Sequence, residues 1–402
     1  MSAIELDLDH ELTHPDRRSF IRTLGAAGLG LAAAGLGSAC AKSKPAGAVL
    51  DPDGLIRVGM IGTAGHTYVV LGDVGKVKGA QIAAYAFEDG DWEYNEGGSR
   101  RGGSYALDDK RKWAEKQPWF GPKTKLYETY QEMLDKEKLD LAVVCLPYSR
   151  IPYAAAAAAR AGVHIISEKP VATTFSDLDM LEAAVKNSGV KLTALFTIRF
   201  SPAFYTIKQA VAAGKIGRPI MGRGQKSYKW GEDRPWFYKV REIYGSSILW
   251  VGIHAIDYIY WSMGLDVKRV SAFHGNLAHP DFPGCQDEGV VCMEMEGGAT
   301  AAVTFDYLRP ETASTHGDDR LRVIGSAGVV EKKELDERVE IITQEAAPAE
   351  LPLVEPPGLF ADFCGYLRGQ NDHIVAERDP FRVTRICIAA TQAADEGRVV
   401  EV

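Results

Sequence analysis

The chain has 402 residues, 46% of them hydrophobic and 25% charged, with a net charge of −8 and an isoelectric point near 5.7. That is enough material for two globular domains with cores of their own. No basic stretch alternates with aromatic residues, which excludes nucleic acid as a partner.

Residues 1–41 read as an export signal. Arg17-Arg18 lies in the run Asp16-Arg17-Arg18-Ser19-Phe20-Ile21-Arg22, ahead of an uncharged stretch of Gly, Ala and Leu from Leu24 to Ala39. The stretch is too short and too glycine-rich to cross a membrane, which takes about 20 apolar residues. A twin arginine before it points to the Tat export machinery and a periplasmic destination. Ala39-Cys40-Ala41 offers a small-x-small cleavage site that would release a soluble chain from Lys42, whereas Gly37-Ser38-Ala39-Cys40 resembles a lipobox that would leave Cys40 lipid-anchored. Residues 42–54, with two prolines, are a linker. The six cysteines do not form a disulfide framework: Cys145 sits in an apolar strand, and Cys364 and Cys387 in helical patterns.

Residues 55–198 alternate strand and helix, the pattern of a parallel sheet covered on both faces. A strand, Leu55 to Ile61, runs into Gly62-Thr63-Ala64-Gly65-His66-Thr67, a glycine turn of the kind whose backbone amides face a pyrophosphate. Against the pattern G-x-G-x-x-G, the second and third glycines are here Ala64 and Thr67. The next strand, Ala80 to Phe87, should end in an acid for the adenosine ribose; Phe87 takes that place, with Glu88 and Asp89 directly after it. Arg100 and Arg101, in the polar loop that follows, are either a 2′-phosphate site or solvated charges. A helix (Tyr127 to Lys138) leads to a near-continuous apolar strand, Leu139 to Leu146, which Pro147-Tyr148-Ser149 ends on the cofactor side. An alanine-rich helix (Tyr153 to Ala161) stops at Gly162, and the strand Val163 to Ile166 runs into Ser167-Glu168-Lys169-Pro170. Ligands of doubly wound sheets bind at the carboxyl ends of strands, so Lys169 stands at the mouth of a cleft, where desolvation can bring its pKa towards working pH. A helix (Phe175 to Asn187) and a strand (Val190 to Thr197) complete the series.

Residues 199–402 carry the second half. One helix is expected over Ser246 to Gly264, with Trp250, His254, Asp257 and Trp261 on a single face. A His and an Asp together on an otherwise apolar helix need partners, because a buried polar group left alone costs about 1–3 kcal/mol. The strands Pro219–Tyr228, Val267–His274, Gly289–Met295 and Thr300–Tyr307 give a mostly antiparallel sheet. Tyr228, Trp230 and Trp236 precede the helix and suit either a sugar ring or a core. Tyr307-Leu308-Arg309-Pro310 and Thr315-His316-Gly317-Asp318-Asp319-Arg320 bracket a loop able to close over a site, and two helices, Phe360–Leu367 and Thr384–Glu396, form the tail.

The glycine turn, Leu-Asp-Leu-Ala-Val-Val-Cys-Leu-Pro, Ala-Gly-Val-His-Ile-Ile-Ser-Glu-Lys-Pro and Arg199-Phe200-Ser201-Pro202, in this order and spacing, resemble the glucose–fructose oxidoreductase / inositol dehydrogenase / rhizopine-catabolism (Gfo/Idh/MocA) family from about residue 55 onward. The resemblance implies an α/β protein with a Rossmann domain followed by an α/β domain with a large, mostly antiparallel open sheet, through which a homo-oligomer forms. It implies NAD or NADP, with NAD favoured, held by Gly62, Thr63, Ala64, Gly65, His66, Thr67, Glu88, Leu146, Pro147, Glu168 and Lys169, and no metal. Lys169, which in the family is often followed by a cis proline bond, and His254 become the catalytic pair. The family's acid four residues before that histidine is here Trp250, so Asp257 or another acid replaces it, or the chemistry has changed. Arg199, Tyr228, Trp230, Trp250, Tyr307 and His316 are the expected substrate contacts. The implied activity is an exported oxidoreductase acting on a sugar, polyol or glycoside with a tightly held cofactor. The alternatives are a redox-neutral NAD-dependent glycosidase or lyase, or a catalytically silent carbohydrate-binding protein on the same fold.

Overall fold

Two sheets organise the chain in a computed structural model that describes residues 49–88, 111–112, 114–232, 234–333, 335 and 337–402. The expected export signal, the cysteine at 40, most of the linker, Asp89 and the arginines at 100 and 101 lie outside the described residues.

The first sheet contains β1 (Ile56–Ile61), β2 (Ala80–Ala86), β3 (Lys125–Tyr127), β4 (Leu141–Val144), β5 (His164–Ser167) and β6 (Leu192–Ala194), all parallel. Their spatial order, β3-β2-β1-β4-β5-β6, is that of a dinucleotide-binding sheet, and the switch point falls between β1 and β4. The short helix α1 (Thr67–Leu71) follows β1, α2 (Tyr130–Lys136) follows β3, α3 (Ile151–Arg160) follows β4 and α4 (Phe175–Ser188) follows β5. All four residues of β4 and of β5 are buried, as strands covered on both faces must be. Tyr127, expected in a helix, closes the edge strand β3 instead; its three residues are too few to show a period of two.

The second sheet has nine strands, in the order β14-β13-β12-β11-β7-β10-β9-β8-β15. They are β7 (Pro219–Lys229), β8 (Val267–Gly275), β9 (Glu288–Met295), β10 (Thr300–Arg309), β11 (Gly317–Gly325), β12 (Gly328–Lys332), β13 (Glu340–Thr343), β14 (Ala349–Glu350) and β15 (Val400–Glu401). Only β7 and β10 pair in parallel, so the expected fold class holds. The expected closing loop is shorter than anticipated, because residues 317–325 are strand β11 and only His316 and its predecessors remain outside it.

The helix α5 (Pro202–Ala212) links the two sheets in sequence, and the short α6 (Arg241–Tyr244) precedes the central helix. That central helix is not uniform. A π-helical turn, Ile248–Gly252, leads into α7 (Ile253–Met263), which ends at Gly264 in the left-handed region (φ +66°). Every residue of α7 is buried, and it lies on the second sheet across Gly222 and Gly224. A Cβ at those glycines would come within 2.6 Å of the Met263 sulfur and 2.9 Å of the Tyr258 ring, so the missing side chains set how closely helix and sheet approach.

The tail returns to the first sheet. Leu359, Phe360, Phe363, Cys364 and Leu367 of α8 (Leu359–Leu367) share a core with Ile56, Val58 and Met60 of β1. His373 ties the same segment down: Nδ1 meets Asp362 at 2.6 Å and Nε2 meets Thr193 of β6 at 2.7 Å. The last helix, α9 (Asp379–Glu396), packs against both β8 and the π-helical turn. The five cysteines among the described residues are all free.

Candidate active site

The carboxyl ends of β1, β4 and β5 and the start of the central helix meet around Lys169. Its peptide bond to Pro170 is cis. The side chain is 1% exposed, donates from Nζ to the Trp250 carbonyl (2.8 Å) and lies 3.3 Å from the centre of the Trp250 indole. That carbonyl belongs to the π-helical turn, a local distortion that often marks a functional site. Burial brings the Lys169 ammonium down from 10.5 to about 7, helped by Lys226 and opposed by Glu168.

His254 lies one turn further along, 2% exposed, and its Nε2 has no partner among the described residues. Burial holds its pKa well below the ordinary histidine value, and the charges of Lys169 and Lys226 act in the same direction. At neutral pH it is a neutral imidazole.

Glu168 faces the glycine turn. Its carboxylate accepts from the His66 backbone N–H (2.9 Å) and meets His66 Nδ1 at 2.9 Å. Burial opposes its charge, yet His66 and Lys169 together keep its carboxyl below the usual range. The His66 ring is 5.8 Å from Trp250 and edge-on to His254 at 6.2 Å. The turn has the backbone the sequence implied: Gly62 and Gly65 have φ of +75° and +73°, and a Cβ at Gly65 would come 2.7 Å from a Glu168 oxygen. Ala64 N–H donates to Cys145 O at 2.9 Å, while Thr63 stands in the turn and Thr67 begins α1. Leu146 and Pro147 follow β4 on the other side of the switch point. A glycine turn with two left-handed residues, set at the switch point beside Lys169, fits a dinucleotide. At the ribose end, Phe87 is buried and stacked on Tyr85 (4.6 Å). Glu88 (φ +55°) accepts from Tyr130 N–H at 2.6 Å, which directs this carboxylate oxygen to the start of α2.

The expected substrate residues fall into two groups and an outlier. Tyr228, Trp230, Tyr307 and His316 form one aromatic cluster, with Tyr228 4.9 Å from His316 and Trp230 edge-on to Tyr307 at 5.3 Å. Trp250 covers Lys169. Tyrosines that sequence reasoning missed connect the two: Tyr148 stacks on Trp250 (4.4 Å), its hydroxyl meets that of Tyr238 (3.2 Å), and Tyr244 reaches Tyr307 (3.3 Å). Tyr148 had a readable signal, since it follows Pro147 at a strand end; Tyr238 and Tyr244 had none beyond a run rich in aromatics.

Arg199 and Asp257 are placed apart from this surface. They bind each other (2.6 and 3.1 Å), with Asp379 as a second carboxylate 2.6 Å from Arg199. Asp257 shares the helix face of His254, as the spacing required, but its carboxylate points to the guanidinium behind the helix. Burial lifts the Asp257 carboxyl to about 6 against the pull of Arg199. The carboxylate nearest in chemistry to the expected family acid is therefore already engaged in an ion pair.

Comparison with known proteins matches two stretches to family models: residues 107–196 to "Oxidoreductase family, NAD-binding Rossmann fold" and residues 204–331 to "GFO/IDH/MocA C-terminal domain". An uncharacterized oxidoreductase of Bacillus subtilis, YrbE, is 31% identical over 50% of this chain and 57% of its own length. A D-apiose dehydrogenase of Paraburkholderia graminis is 25% identical over 69% of this chain and 76% of its own. A solved structure of an oxidoreductase from Thermotoga maritima superposes with a TM-score of 0.75 at 33% identity, covering 86% of this chain and all of that one.

Proposed function

Because the chain belongs to the Gfo/Idh/MocA oxidoreductase family, we propose that it is an exported NAD(P)-dependent oxidoreductase acting on a sugar, polyol or glycoside, with a cofactor held through many turnovers. The observation that carries the reading is the pairing of a buried lysine, titrating at about 7, with a buried neutral histidine at the mouth of a dinucleotide-type sheet. D-Apiose and inositol dehydrogenases among the relatives support the substrate class.

A nicotinamide, when bound, supplies the hydride chemistry. The chain's own residues do the rest. Lys169, in the fraction that has lost its proton, takes the proton of the hydroxyl that becomes a carbonyl, and His254 offers its unpartnered Nε2 to the same proton or to a neighbouring hydroxyl. Glu168 and His66 brace the glycine turn against the lysine strand. Tyr148 and Trp250 form an aromatic wall beside Lys169, with Tyr148 stacked on the indole that covers the amine. A second reading, a redox-neutral glycosidase or lyase that returns the hydride within each turnover, is favoured by Trp250. An indole cannot relay the lysine's proton onward as a carboxylate would. The outer face of the second sheet, where Phe273 is 72% exposed, is proposed as the surface on which copies of the chain associate.

Denaturing the purified protein and identifying any released dinucleotide by mass spectrometry tests the cofactor, and a screen of sugars and glycosides against the loaded protein finds the substrate. With that substrate, kcat/KM for oxidation is expected to rise with pH through about 7, as Lys169 loses its proton. A profile flat from pH 5.5 to 9 would remove Lys169 as the base.

Export is proposed on the twin arginine alone. Replacing Arg17 and Arg18 with lysines is expected to leave the protein in the cytoplasm, as read by cell fractionation; normal arrival in the periplasm counts against the Tat assignment.

A further inference from the structure

The aromatic wall holds a cation for which the described residues supply no counter-charge. Arg234 donates from Nη2 to the Lys229 carbonyl (2.7 Å), while its buried Nε has no partner. Its guanidinium lies over the Tyr307 ring at 4.4 Å, and 5.3 and 5.9 Å from Trp230 and Tyr238. Burial opposes its charge, and the groups that act on it most strongly are the phenols of Tyr307, Tyr238 and Tyr244 and the thiol of Cys285. No carboxylate of the described residues pairs with it. Charges withdrawn from water are ordinarily paired, so a half-buried guanidinium among aromatic rings, paired with no carboxylate of the described residues, points to an anion brought by the ligand.

The surrounding charges agree. Lys226 acts on Lys169 and on His254, and together with Arg234 on His316, so the basic groups face one region. Of the acids nearby, Asp319 pairs with Lys226 (2.7 Å), Asp306 accepts from Ser227 (2.7 Å) and Glu311 from the Gly231 N–H (3.0 Å), while Asp287 and Asp319 each keep one buried oxygen without a partner among the described residues. The guanidinium also connects to the reacting end, because Tyr238 meets Tyr148 and Tyr148 stacks on the indole that covers Lys169.

Resting on the sugar-oxidoreductase reading above, we propose that the substrate is a sugar acid whose carboxylate is received by Arg234, at the far end of the aromatic wall from Lys169. A planar guanidinium presents parallel N–H groups as a fork that matches a carboxylate bidentately.

The test is calorimetric binding to the full chain saturated with NAD. The probes are D-glucuronate, D-galacturonate, D-glucose, D-galactose and D-glucose 6-phosphate. At least one uronate is expected to bind tenfold or more tighter than its neutral counterpart, with the preference shrinking between 50 and 500 mM NaCl. Arg234→Met is expected to reduce that preference to threefold or less, and Arg234→Lys to leave an intermediate value. Should Arg234→Met fail to fold, the salt dependence of the wild-type preference and the Arg234→Lys value decide. Neutral sugars binding as tightly as the uronates, a preference that survives Arg234→Met, or a preference for the phosphate over both uronates each overturns the proposal and leaves the oxidoreductase reading intact. Binding of NAD with none of the five probes bound overturns the proposal, while the oxidoreductase reading is decided by the wider screen of sugars and glycosides.

Discussion

Lys169→Met is expected to lose about 10²–10⁴-fold in kcat on the substrate found by the screen, and to gain thermal stability at the same time. The first effect follows from the lysine's task. Its interaction with a hydroxyl that is losing a proton strengthens towards the transition state, so its loss falls on kcat more than on KM. The second follows from its burial. Lys169 titrates at about 7 in the folded chain, against an ordinary 10.5. Below pH 7 both folded and unfolded chains hold the proton, and the folded state carries the full cost of the buried charge. Between 7 and 10.5 only the unfolded chain is protonated, so stability rises with pH; above 10.5 the difference is gone. A tenfold change in proton affinity between the two states is worth about 1.4 kcal/mol, so removing the amine recovers on the order of 3–5 kcal/mol at pH 7. The orphaned Trp250 carbonyl and the lost contact with the indole take back roughly 1–3 kcal/mol. A Tm several degrees above wild type at pH 7, closing towards pH 10, is the expected calorimetric result. A variant with wild-type kcat, or with a lower Tm at pH 7, contradicts the assignment of a buried, reactive lysine.

Arg199→Met is expected to destabilise the fold by about 3–5 kcal/mol, read from urea unfolding at pH 7. Arg199 is fully buried and bridges Asp257, on the central helix, to Asp379, at the start of the last helix. Without it, two buried carboxylates face each other with no cation between them. Tyr260 donates to Asp379 only at 3.3 Å and cannot replace the ion pair. The loss should shrink as pH falls towards 6, because Asp257, held at about 6 with the guanidinium beside it, takes up its proton at higher pH once Arg199 is gone. In the fraction that remains folded, KM should stay within about threefold of wild type, since the guanidinium touches no part of the aromatic wall. A large rise in KM with little loss of stability would instead return Arg199 to the substrate site.

The strand-helix alternation, the glycine turn and the position of Lys169 at a strand end were legible in the sequence, because each rests on local chemistry. Parallel strands covered on both faces need continuous apolar runs, as in Leu141–Val144, and a tight turn between strand and helix needs residues such as Gly62 and Gly65 that adopt positive φ. The shared helix face of Trp250, His254 and Asp257 was equally local, being a matter of spacing. Where those side chains point was not. Asp257 and His254 lie three residues apart on one helix, yet Asp257 is captured by Arg199, 58 positions earlier, and His254 is left with an open nitrogen. Spacing places groups on a face, but only long-range packing chooses their partners. The strands β11 to β14 were hidden for a related reason: half-exposed strands are set by the neighbour they pair with more than by their own pattern. The lowered pKa of Lys169 is likewise a tertiary property. It arises from the exclusion of water by Trp250 and the central helix and from the charge of Lys226 on the second sheet, none of which the run Glu168-Lys169-Pro170 carries by itself.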